Sequence, residues 1–386
     1  MGDGSLTARH YGTGGTVVID WRAGEITAVE AASGALEDSL WIAPALVDLQ
    51  VNGFAGTDFQ RDDLTVADLT SAVRGLRAAG CTRWLPTLIT DEWPKLMRRL
   101  KCLRELRTAS PDLQRAIVGW HLEGPFLSAE PGYSGAHPPG LMLDPTPDHI
   151  RELRAVTGSD PLLLTLAPER PGALEAIALA VSLGIRVSLG HTNATADRLQ
   201  AAVRAGATGF THLGNACPQV LDRHDNILWR VLDTPGLTAS LIPDGLHVSP
   251  ELFRLVHRGQ GAGSIFYVTD AMSAAGAPHG RYTLGDLKLD VGAEGIVRRP
   301  GQSQFAGSAL RPIDGVRRAA GMLRTTWREV WDGFSIRPAQ FMGLKAGLTV
   351  GAPANFCLIR SPDGGEVAET RMVVAGELGM PSPPTG

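Results

Sequence analysis

Eight short apolar segments, most of them separated by helical segments, constrain the fold of this chain more than any other feature. The predicted strands span residues 44–52, 82–89, 116–123, 162–167, 186–191, 209–212, 237–242 and 265–270. The predicted helices span residues 65–79, 93–107, 149–156, 173–183, 195–205, 250–257, 313–331 and 338–344. Strands that alternate with helices form a parallel sheet, and eight such strands predict a (β/α)8 barrel of the α/β class.

The two ends of the chain have a different pattern from the middle. Residues 1–43 alternate apolar and polar positions in short pieces separated by glycine-rich turns, and the last part of the chain repeats this pattern. Such alternation is typical of strands with one buried face. We therefore predict a small β-sandwich domain built from both termini, residues 1–43 and 349–386, beside a barrel domain of residues 44–348. A glycine-punctuated segment from Arg281 to Phe305 is predicted as a β excursion after the last barrel strand.

The composition argues against several classes of function. The chain has 386 residues, of which 44% are hydrophobic and 20% are charged, and its formal net charge is −4. The mild net charge and the lack of a basic block argue against a nucleic-acid partner. The N-terminus lacks a signal-peptide pattern, and no apolar stretch has the length of a membrane span, so we expect no membrane association. The four scattered cysteines contain no CxxC pair, and we expect a cytoplasmic protein with free thiols.

Four of the predicted strands end in residues that bind metals or transfer protons. Glu123 ends the third strand, His191 the fifth, His212 the sixth and Asp270 the eighth. Barrel enzymes carry their catalytic groups at the carboxyl ends of the strands, and these residue types are ligands of divalent cations. Taken alone, Glu123 could equally be a buried carboxylate paired with an arginine, and a single histidine could belong to the core. The four strand ends together favour a metal-dependent active site.

Eight motifs follow one another along the chain: Leu46-Val-Asp-Leu-Gln-Val-Asn-Gly53, His121-Leu-Glu-Gly-Pro-Phe126, Gly135-Ala-His137, Gly190-His-Thr-Asn-Ala-Thr195, Thr211-His-Leu-Gly-Asn-Ala216, Asp244-Gly-Leu-His-Val248, Val268-Thr-Asp-Ala-Met272 and Ala306-Gly-Ser-Ala-Leu310. In this order they resemble the N-acetylglucosamine-6-phosphate deacetylase family, within the amidohydrolase superfamily. The match covers nearly the whole chain, and its HLEGP and GHTNAT stretches are specific.

The resemblance implies a deformed (β/α)8 barrel with the small β domain, and it implies a homodimer. It also implies Glu123, His191 and His212 as ligands of a divalent metal, zinc or iron. Asp270 would be the catalytic carboxylate, and His137 would polarise the acetamide carbonyl. Because His137 lies in a loop rich in glycine and proline, the residues alone favour a surface histidine at this position.

The first strand carries Gln50 and Asn52, where many amidohydrolases have His-x-His and bind two metals. A neutral amide is a poorer ligand than imidazole. We therefore expect one metal per chain, with Gln50 and Asn52 as the remnant of a second site.

The resemblance further implies a small amino-sugar substrate, N-acetylglucosamine 6-phosphate, held by residues from several loops. The implied contacts are Ala136, His137, Asn215, Ala216, Arg223, His247, Ala306 and Gly307. Arginine suits a phosphate because its guanidinium offers a fork of donors. The chain departs from the family pattern at Gly214 and Cys217, and the turn that holds Arg223 also differs, so the requirement for a 6-phosphate stays open.

These residue types suit amide hydrolysis, because a metal can polarise the carbonyl group, an aspartate can transfer protons and a histidine donor can stabilise the oxyanion. Two other functions stay open. One is a related amidohydrolase that acts on an unphosphorylated or differently substituted acetamido sugar, or on an N-acyl amino acid. The other is a catalytically silent barrel that serves as a binding protein, which would be expected to have lost the metal ligands that this chain retains.

Overall fold

The computed structural model describes residues 1–33, 40–292, 295–300, 306–361, 366–367 and 369–381. In chain order the strands are β1 (Gly4–His10), β2 (Thr16–Arg22), β3 (Glu25–Ala31), β4 (Leu40–Pro44), β5 (Leu46–Val51), β6 (Gly53–Phe54), β7 (Thr57–Asp58), β8 (Cys81–Ile89), β9 (Trp120–Glu123), β10 (Leu162–Leu166), β11 (Arg186–Leu189), β12 (Gly209–Phe210), β13 (Thr238–Leu241), β14 (Ile265–Tyr267), β15 (Gly280–Leu284), β16 (Leu287–Val291), β17 (Val297–Arg298), β18 (Phe356–Arg360), β19 (Glu369–Val374) and β20 (Glu377–Pro381). The α-helices are α1 (Val66–Ala78), α2 (Trp93–Thr108), α3 (Pro111–Ala116), α4 (Pro147–Thr157), α5 (Ala173–Ser182), α6 (Ala196–Arg204), α7 (Ile227–Leu232), α8 (Pro250–Gln260), α9 (Pro312–Leu323), α10 (Trp327–Trp331) and α11 (Ile336–Phe341).

The predicted barrel is confirmed. Its eight strands lie in the order β5-β8-β9-β10-β11-β12-β13-β14 and pair in parallel. Within the described residues, β5 and β14 are the two ends of this sheet, and the chain beyond them closes the barrel through one bridge between Val51 and Ala271. The Asn52 N–H donates to the Ala271 carbonyl oxygen at 2.7 Å. This short closure lies beside Asp270, so the seam of the barrel is also a wall of the candidate site.

Helix α1 illustrates how local sequence signals set the barrel helices. The Asp68 N–H donates to the Thr65 hydroxyl at 3.2 Å, and the Asp68 carboxylate accepts the Thr65 N–H at 2.9 Å, which completes the N-terminal cap. Gly80, with φ of 83°, follows the end of the helix. The helix packs on the barrel with its buried residues Leu69, Ala72, Val73 and Leu76.

The third barrel strand is shorter than its apolar run predicts. Residues 116–123 were predicted as one strand, but Ala116 ends helix α3 and β9 begins at Trp120. Ser110 caps α3 by accepting the Asp112 N–H at 3.2 Å, and Pro111 occupies the first turn. This Ser-Pro start signal outweighs the apolar character of the residues that follow.

One further helix prediction is wrong, and one helix was not predicted. The predicted helix 313–331 is divided into α9 and α10, because Arg324 adopts a left-handed φ of 56° between them. Helix α7 was not predicted, although Asn226 caps it by accepting the N–H groups of Leu228 and Trp229. Its six residues are too few for a clear apolar period, so the cap was the available signal.

The predicted β domain from both ends of the chain is confirmed as one seven-stranded sheet. Its order is β20-β19-β18-β4-β1-β2-β3, in which β1 and β4 run parallel and the other neighbours run antiparallel. The central pairing joins Phe356–Arg360 to Leu40–Pro44. The boundaries that we predict between this domain and the barrel, after residues 43 and 348, stay a prediction.

The predicted β excursion after the eighth barrel strand contains the antiparallel sheet β15-β16-β17. Its apolar residues Leu284 and Leu289 belong to one buried cluster with Ile89, Met272 and Ala306. The excursion therefore covers the side of the barrel mouth next to Asp270, and the end that we predicted for it, residues 301–305, lies outside the described residues. Among the described residues, we find no helix with both the length and the apolar character that a membrane span requires.

Candidate metal centre and active site

Three predicted strand-end residues converge at the carboxyl edge of the barrel. The Oε1 atom of Glu123 lies 2.8 Å from His212 Nε2 and 3.2 Å from His191 Nε2. All three side chains are buried, and one donor atom from each lies within 4.8 Å of the others. Two imidazole nitrogens and one carboxylate oxygen form a donor set that suits a borderline divalent cation such as zinc or iron.

The partners of these side chains leave the converging atoms free to bind a cation. His191 Nδ1 lies 2.9 Å from the Tyr133 carbonyl oxygen, which can only accept a hydrogen bond, so the proton is on Nδ1 and the Nε2 lone pair faces Glu123. Burial opposes ionisation of Glu123, but the close polar contacts with His191 and His212 hold its pKa well below the ordinary value. A buried carboxylate that stays charged favours cation binding.

The backbone is strained at three of the four predicted strand-end residues. His191, His212 and Asp270 have φ values of 50°, 33° and 51°, which lie in the left-handed region. Such conformations cost on the order of 1–3 kcal/mol each and persist where the surroundings fix them. They also explain why the hydrogen-bonded strands end two or three residues before these positions. At each of these positions the left-handed backbone turns the chain away from the strand direction, and the side chain points toward the barrel mouth.

Asp270 lies beside the cluster and is joined to it by two side-chain amides. Its Oδ1 atom accepts hydrogen bonds from Asn52 Nδ2 at 2.7 Å and from Gln50 Nε2 at 3.2 Å. The same Gln50 amide nitrogen lies 3.1 Å from Glu123 Oε2. Burial, together with the negative charge of Glu123, raises the pKa of the Asp270 carboxyl to about 6. A carboxyl with that pKa can both accept and return a proton near neutral pH.

His137 is buried beside the cluster, so the surface position that the loop composition favours is wrong. Its Nδ1 atom accepts the Thr90 N–H at 3.3 Å and lies 2.8 Å from the Thr90 hydroxyl. The proton of the neutral ring is therefore on Nε2, which lies 4.0 Å from Glu123 Oε2. Burial, followed by the charge of His191, lowers the pKa of His137 to about 3. His137 thus presents a neutral N–H donor to the site.

Several of the predicted substrate contacts also border this centre. Ala306 is buried, and a Cβ atom at Gly307 would lie 3.4 Å from the Asp270 carbonyl oxygen. Asn215 donates from Nδ2 to the His212 carbonyl oxygen at 3.2 Å, and Ala216 follows it with a left-handed φ of 50°.

Other predicted contacts lie on loops around the mouth. The Nδ1 atom of His247 lies 2.6 Å from Asp244 Oδ2, and this pairing holds the pKa of Asp244 below its ordinary value although burial opposes it. The Ala136 carbonyl oxygen accepts a hydrogen bond from Arg299 Nη2 at 3.3 Å. Arg223 is exposed, and within the described residues we find no side-chain hydrogen bond or ion pair from its guanidinium. The structure therefore does not bring Arg223 into the centre.

Three contributors to the site escaped the sequence analysis. Thr90 orients His137, the Tyr133 carbonyl orients His191, and Asp48 accepts hydrogen bonds between the first and eighth strands. Thr90 and Asp48 carry a signal, since one follows a buried strand and the other is an acid inside an apolar strand. Tyr133 carries none, because a backbone carbonyl is common to every residue.

Comparisons with known proteins agree with this geometry, although no protein-family model matches the chain. The chain is 34% identical over 331 residues to an N-acetylglucosamine-6-phosphate deacetylase from Danio rerio, covering 82% of this chain and 80% of that protein. It is 33% identical over 324 residues to an N-acetylgalactosamine-6-phosphate deacetylase from Escherichia coli O157:H7, covering 83% and 84%.

Among solved structures, a mutant N-acetyl-D-glucosamine-6-phosphate deacetylase from Mycobacterium smegmatis, in complex with N-acetyl-D-glucosamine-6-phosphate, superposes with a TM-score of 0.85. It is 32% identical to this chain, and the match covers 98% of this chain and 99% of that one. Identity of this level over most of both chains shows common ancestry. The chain belongs to the N-acetylglucosamine-6-phosphate deacetylase family of the amidohydrolase superfamily.

Proposed function

We propose that this protein hydrolyses the acetamide of N-acetylglucosamine 6-phosphate, giving glucosamine 6-phosphate and acetate. The observation that carries the proposal is the convergence of Glu123, His191 and His212 on one point, with Asp270 joined to them through Gln50. A silent barrel has no need of three strained strand ends and a charged buried carboxylate. Membership of the deacetylase family supports the reaction class.

We propose that Glu123, His191 and His212 hold one divalent cation, zinc or iron. When bound, the cation would supply Lewis-acid chemistry by polarising the acetamide carbonyl and lowering the pKa of water. Gln50 and Asn52 present amide N–H groups to the two carboxylates, so these groups act as hydrogen-bond donors in place of second-site ligands.

Asp270 would transfer the proton that the reaction requires. Its carboxylate takes a proton from water as the water oxygen forms a bond to the acetamide carbon. It then gives this proton to the sugar nitrogen, whose bond to carbon breaks, so acetate and the free amine leave. The pKa of about 6 suits both halves of this transfer.

His137 would stabilise the oxyanion that forms on the carbonyl oxygen. Because Thr90 occupies Nδ1, the ring offers its Nε2–H to the site and cannot rotate freely. A neutral, positioned donor of this kind can contribute on the order of 2.7–4 kcal/mol to the transition state.

The sugar phosphate would be held at the rim of the barrel mouth by Arg223 and His247, with Asn215, Ala216, Ala136, Ala306 and Gly307 lining the path to the metal. Arg223 supplies an exposed guanidinium, which a phosphate can pair with. A second candidate substrate is N-acetylgalactosamine 6-phosphate, because a deacetylase for that sugar is 33% identical to this chain. We also propose that the enzyme is a cytoplasmic homodimer.

A substrate panel with metal analysis tests the proposal. The panel contains both 6-phosphates and their unphosphorylated sugars, and acetate release is measured with metal-replete protein. We expect the highest kcat/KM for N-acetylglucosamine 6-phosphate and about one equivalent of metal per chain. Faster hydrolysis of an unphosphorylated sugar would contradict the phosphate part, and two tightly bound equivalents would contradict the single site. Acetate release from none of the four would contradict the activity itself.

A further inference from the structure

Asp48 is a fully buried carboxylate that the proposed mechanism does not use. It lies in β5 with 0% exposure, and among the described residues it forms no ion pair with an arginine, lysine or histidine. Burying a carboxylate without a cation is costly unless hydrogen bonds replace its water. A chain that retains such a group in its first barrel strand therefore gains something from its position.

The hydrogen bonds of Asp48 join the two strands at the seam of the barrel. Its Oδ1 atom accepts the Gln50 N–H at 3.1 Å, on its own strand. Its Oδ2 atom accepts the Thr269 hydroxyl at 2.6 Å and the Thr269 N–H at 3.2 Å, from the segment that directly follows the eighth strand. The two backbone N–H groups can only donate, and the Thr269 hydroxyl donates as well, so a carboxylate accepts all of these bonds, whereas an asparagine would turn an N–H group toward one of the donors.

Both partners of Asp48 are directly connected to Asp270, one through a hydrogen bond and the other through the backbone. Gln50 donates to Asp270, and Thr269 directly precedes Asp270. Thr269 is fixed further because its carbonyl oxygen accepts the Ser308 hydroxyl at 2.5 Å. The left-handed φ of Asp270 requires rigid neighbours to persist, and Asp48 supplies one side of that support.

We infer that Asp48 is a positioning residue, which sets the place of the Asp270 carboxylate relative to Gln50 and the metal ligands by linking the first and eighth strands. This inference rests on the proposed function, since it assigns Asp48 to the step that Asp270 performs. A displacement of about 1 Å in a reacting group can cost on the order of 10²-fold in rate.

The test is the Asp48→Asn variant, assayed for kcat, KM and metal content with N-acetylglucosamine 6-phosphate. The asparagine amide would direct N–H groups at donors, so Thr269 should shift. We expect kcat to fall roughly 10–100-fold, while KM and bound metal stay close to those of the wild-type protein. The pair Thr269→Val and Thr269→Ser isolates the hydroxyl, and we expect the valine variant to lose activity and the serine variant to keep it.

The chain offers a matched control in Asp58, which has the same bonding pattern elsewhere. Asp58 is buried and accepts the Gln60 N–H, the Thr283 hydroxyl and the Gly285 N–H, each at 2.9 Å. These partners connect the β6-β7 hairpin to the β15-β16 turn, and among the described residues none of them is hydrogen-bonded to Gln50, Thr269 or Asp270. Asp58→Asn should therefore lower thermal stability as Asp48→Asn does, but leave kcat within about threefold, a change below 1 kcal/mol.

The outcomes separate this inference from the proposed function. Acetate release by the wild-type protein with an unchanged kcat in Asp48→Asn would overturn the inference alone, as would equal losses of kcat in the Asp48 and Asp58 variants. No acetate release by the wild-type protein would overturn both. If Asp48→Asn does not fold, the Thr269 pair decides, and equal kcat values for its valine and serine variants overturn the inference.

Discussion

Two regions of the barrel mouth differ in how they are built. The floor of the proposed active site consists of Glu123, His191 and His212, which are buried, and Asp270, which is half-buried, and each of them is in close polar contact with a neighbouring side chain. The rim, the loop of residues 213–226, is half-buried or exposed between its two buried end residues, and its Val220 side chain is 89% accessible. The contrast teaches that the groups proposed for the chemistry are fixed before substrate arrives, whereas Arg223, which is proposed to pair with the phosphate, lies exposed on a loop.

The largest effect expected is on the floor. Asp270→Asn keeps the shape and can still accept hydrogen bonds from Asn52 and Gln50, but it cannot transfer a proton. We expect a folded, metal-bound protein whose kcat is lower by about 10²–10⁴-fold. The check is kcat at saturating metal, with metal content measured on the same sample. Near-wild-type turnover under that condition would show that Asp270 does not transfer the proton. The floor would then not differ from the rim in the way proposed here.

The rim should respond differently, through binding. Arg223→Ala removes one charge-assisted contact worth about 1.5–3 kcal/mol, so we expect KM for the 6-phosphate to rise by roughly 10–150-fold while kcat changes little. Steady-state kinetics with the phosphorylated and unphosphorylated sugars provide the check, since the latter should be unaffected. Arg281→Ala is the control, because that side chain is 89% exposed and lies on the β excursion. A fall in kcat at constant KM would show that Arg223 acts in the chemical step, as is proposed for the residues of the floor, and not in binding.

The smallest effect concerns the support of the floor. Thr90→Val removes the hydroxyl beside His137 Nδ1 but keeps the backbone N–H that also donates to it. The loss of one neutral hydrogen bond, about 0.5–1.5 kcal/mol, should lower kcat by roughly 2–12-fold. Thr90→Ser keeps the hydroxyl and should retain the wild-type kcat. If the two variants have the same kcat, His137 does not depend on that hydroxyl.

The same contrast explains what could be predicted from the sequence. Glu123, His191, His212 and Asp270 each end an apolar run, and the parallel alternation of strands and helices brings such ends to one edge. The structure brings all four together. His137 and Arg223 lie in loops, where no period fixes position, and they rest on the resemblance to a family. For His137 the loop composition favoured the surface, and tertiary packing placed it in the interior.

The fold was predictable where a pattern of apolar and polar residues extends over many residues, and it was less predictable at short elements. The barrel and the sheet from both ends follow from patterns that extend over many residues. Helix α3 was missed because Ala116 and the apolar residues after it look like part of a strand, and the break at Arg324 leaves no proline or glycine as a mark. Contacts through backbone atoms, such as the Tyr133 carbonyl on His191, have no sequence signature at all.

The seven-stranded sheet has a consequence for how the chain is made. Its neighbours β4 and β18 pair Leu40 with Arg360 and have all the barrel strands between them in the chain, so a ribosome produces β4 well before β18. Until β18 emerges, β4 presents a row of unpaired N–H and C=O groups, the kind of edge through which nascent chains stick to one another. The barrel is synthesised between these two events. The arrival of β18, and not only the folding of the barrel, therefore protects β4 from such pairing.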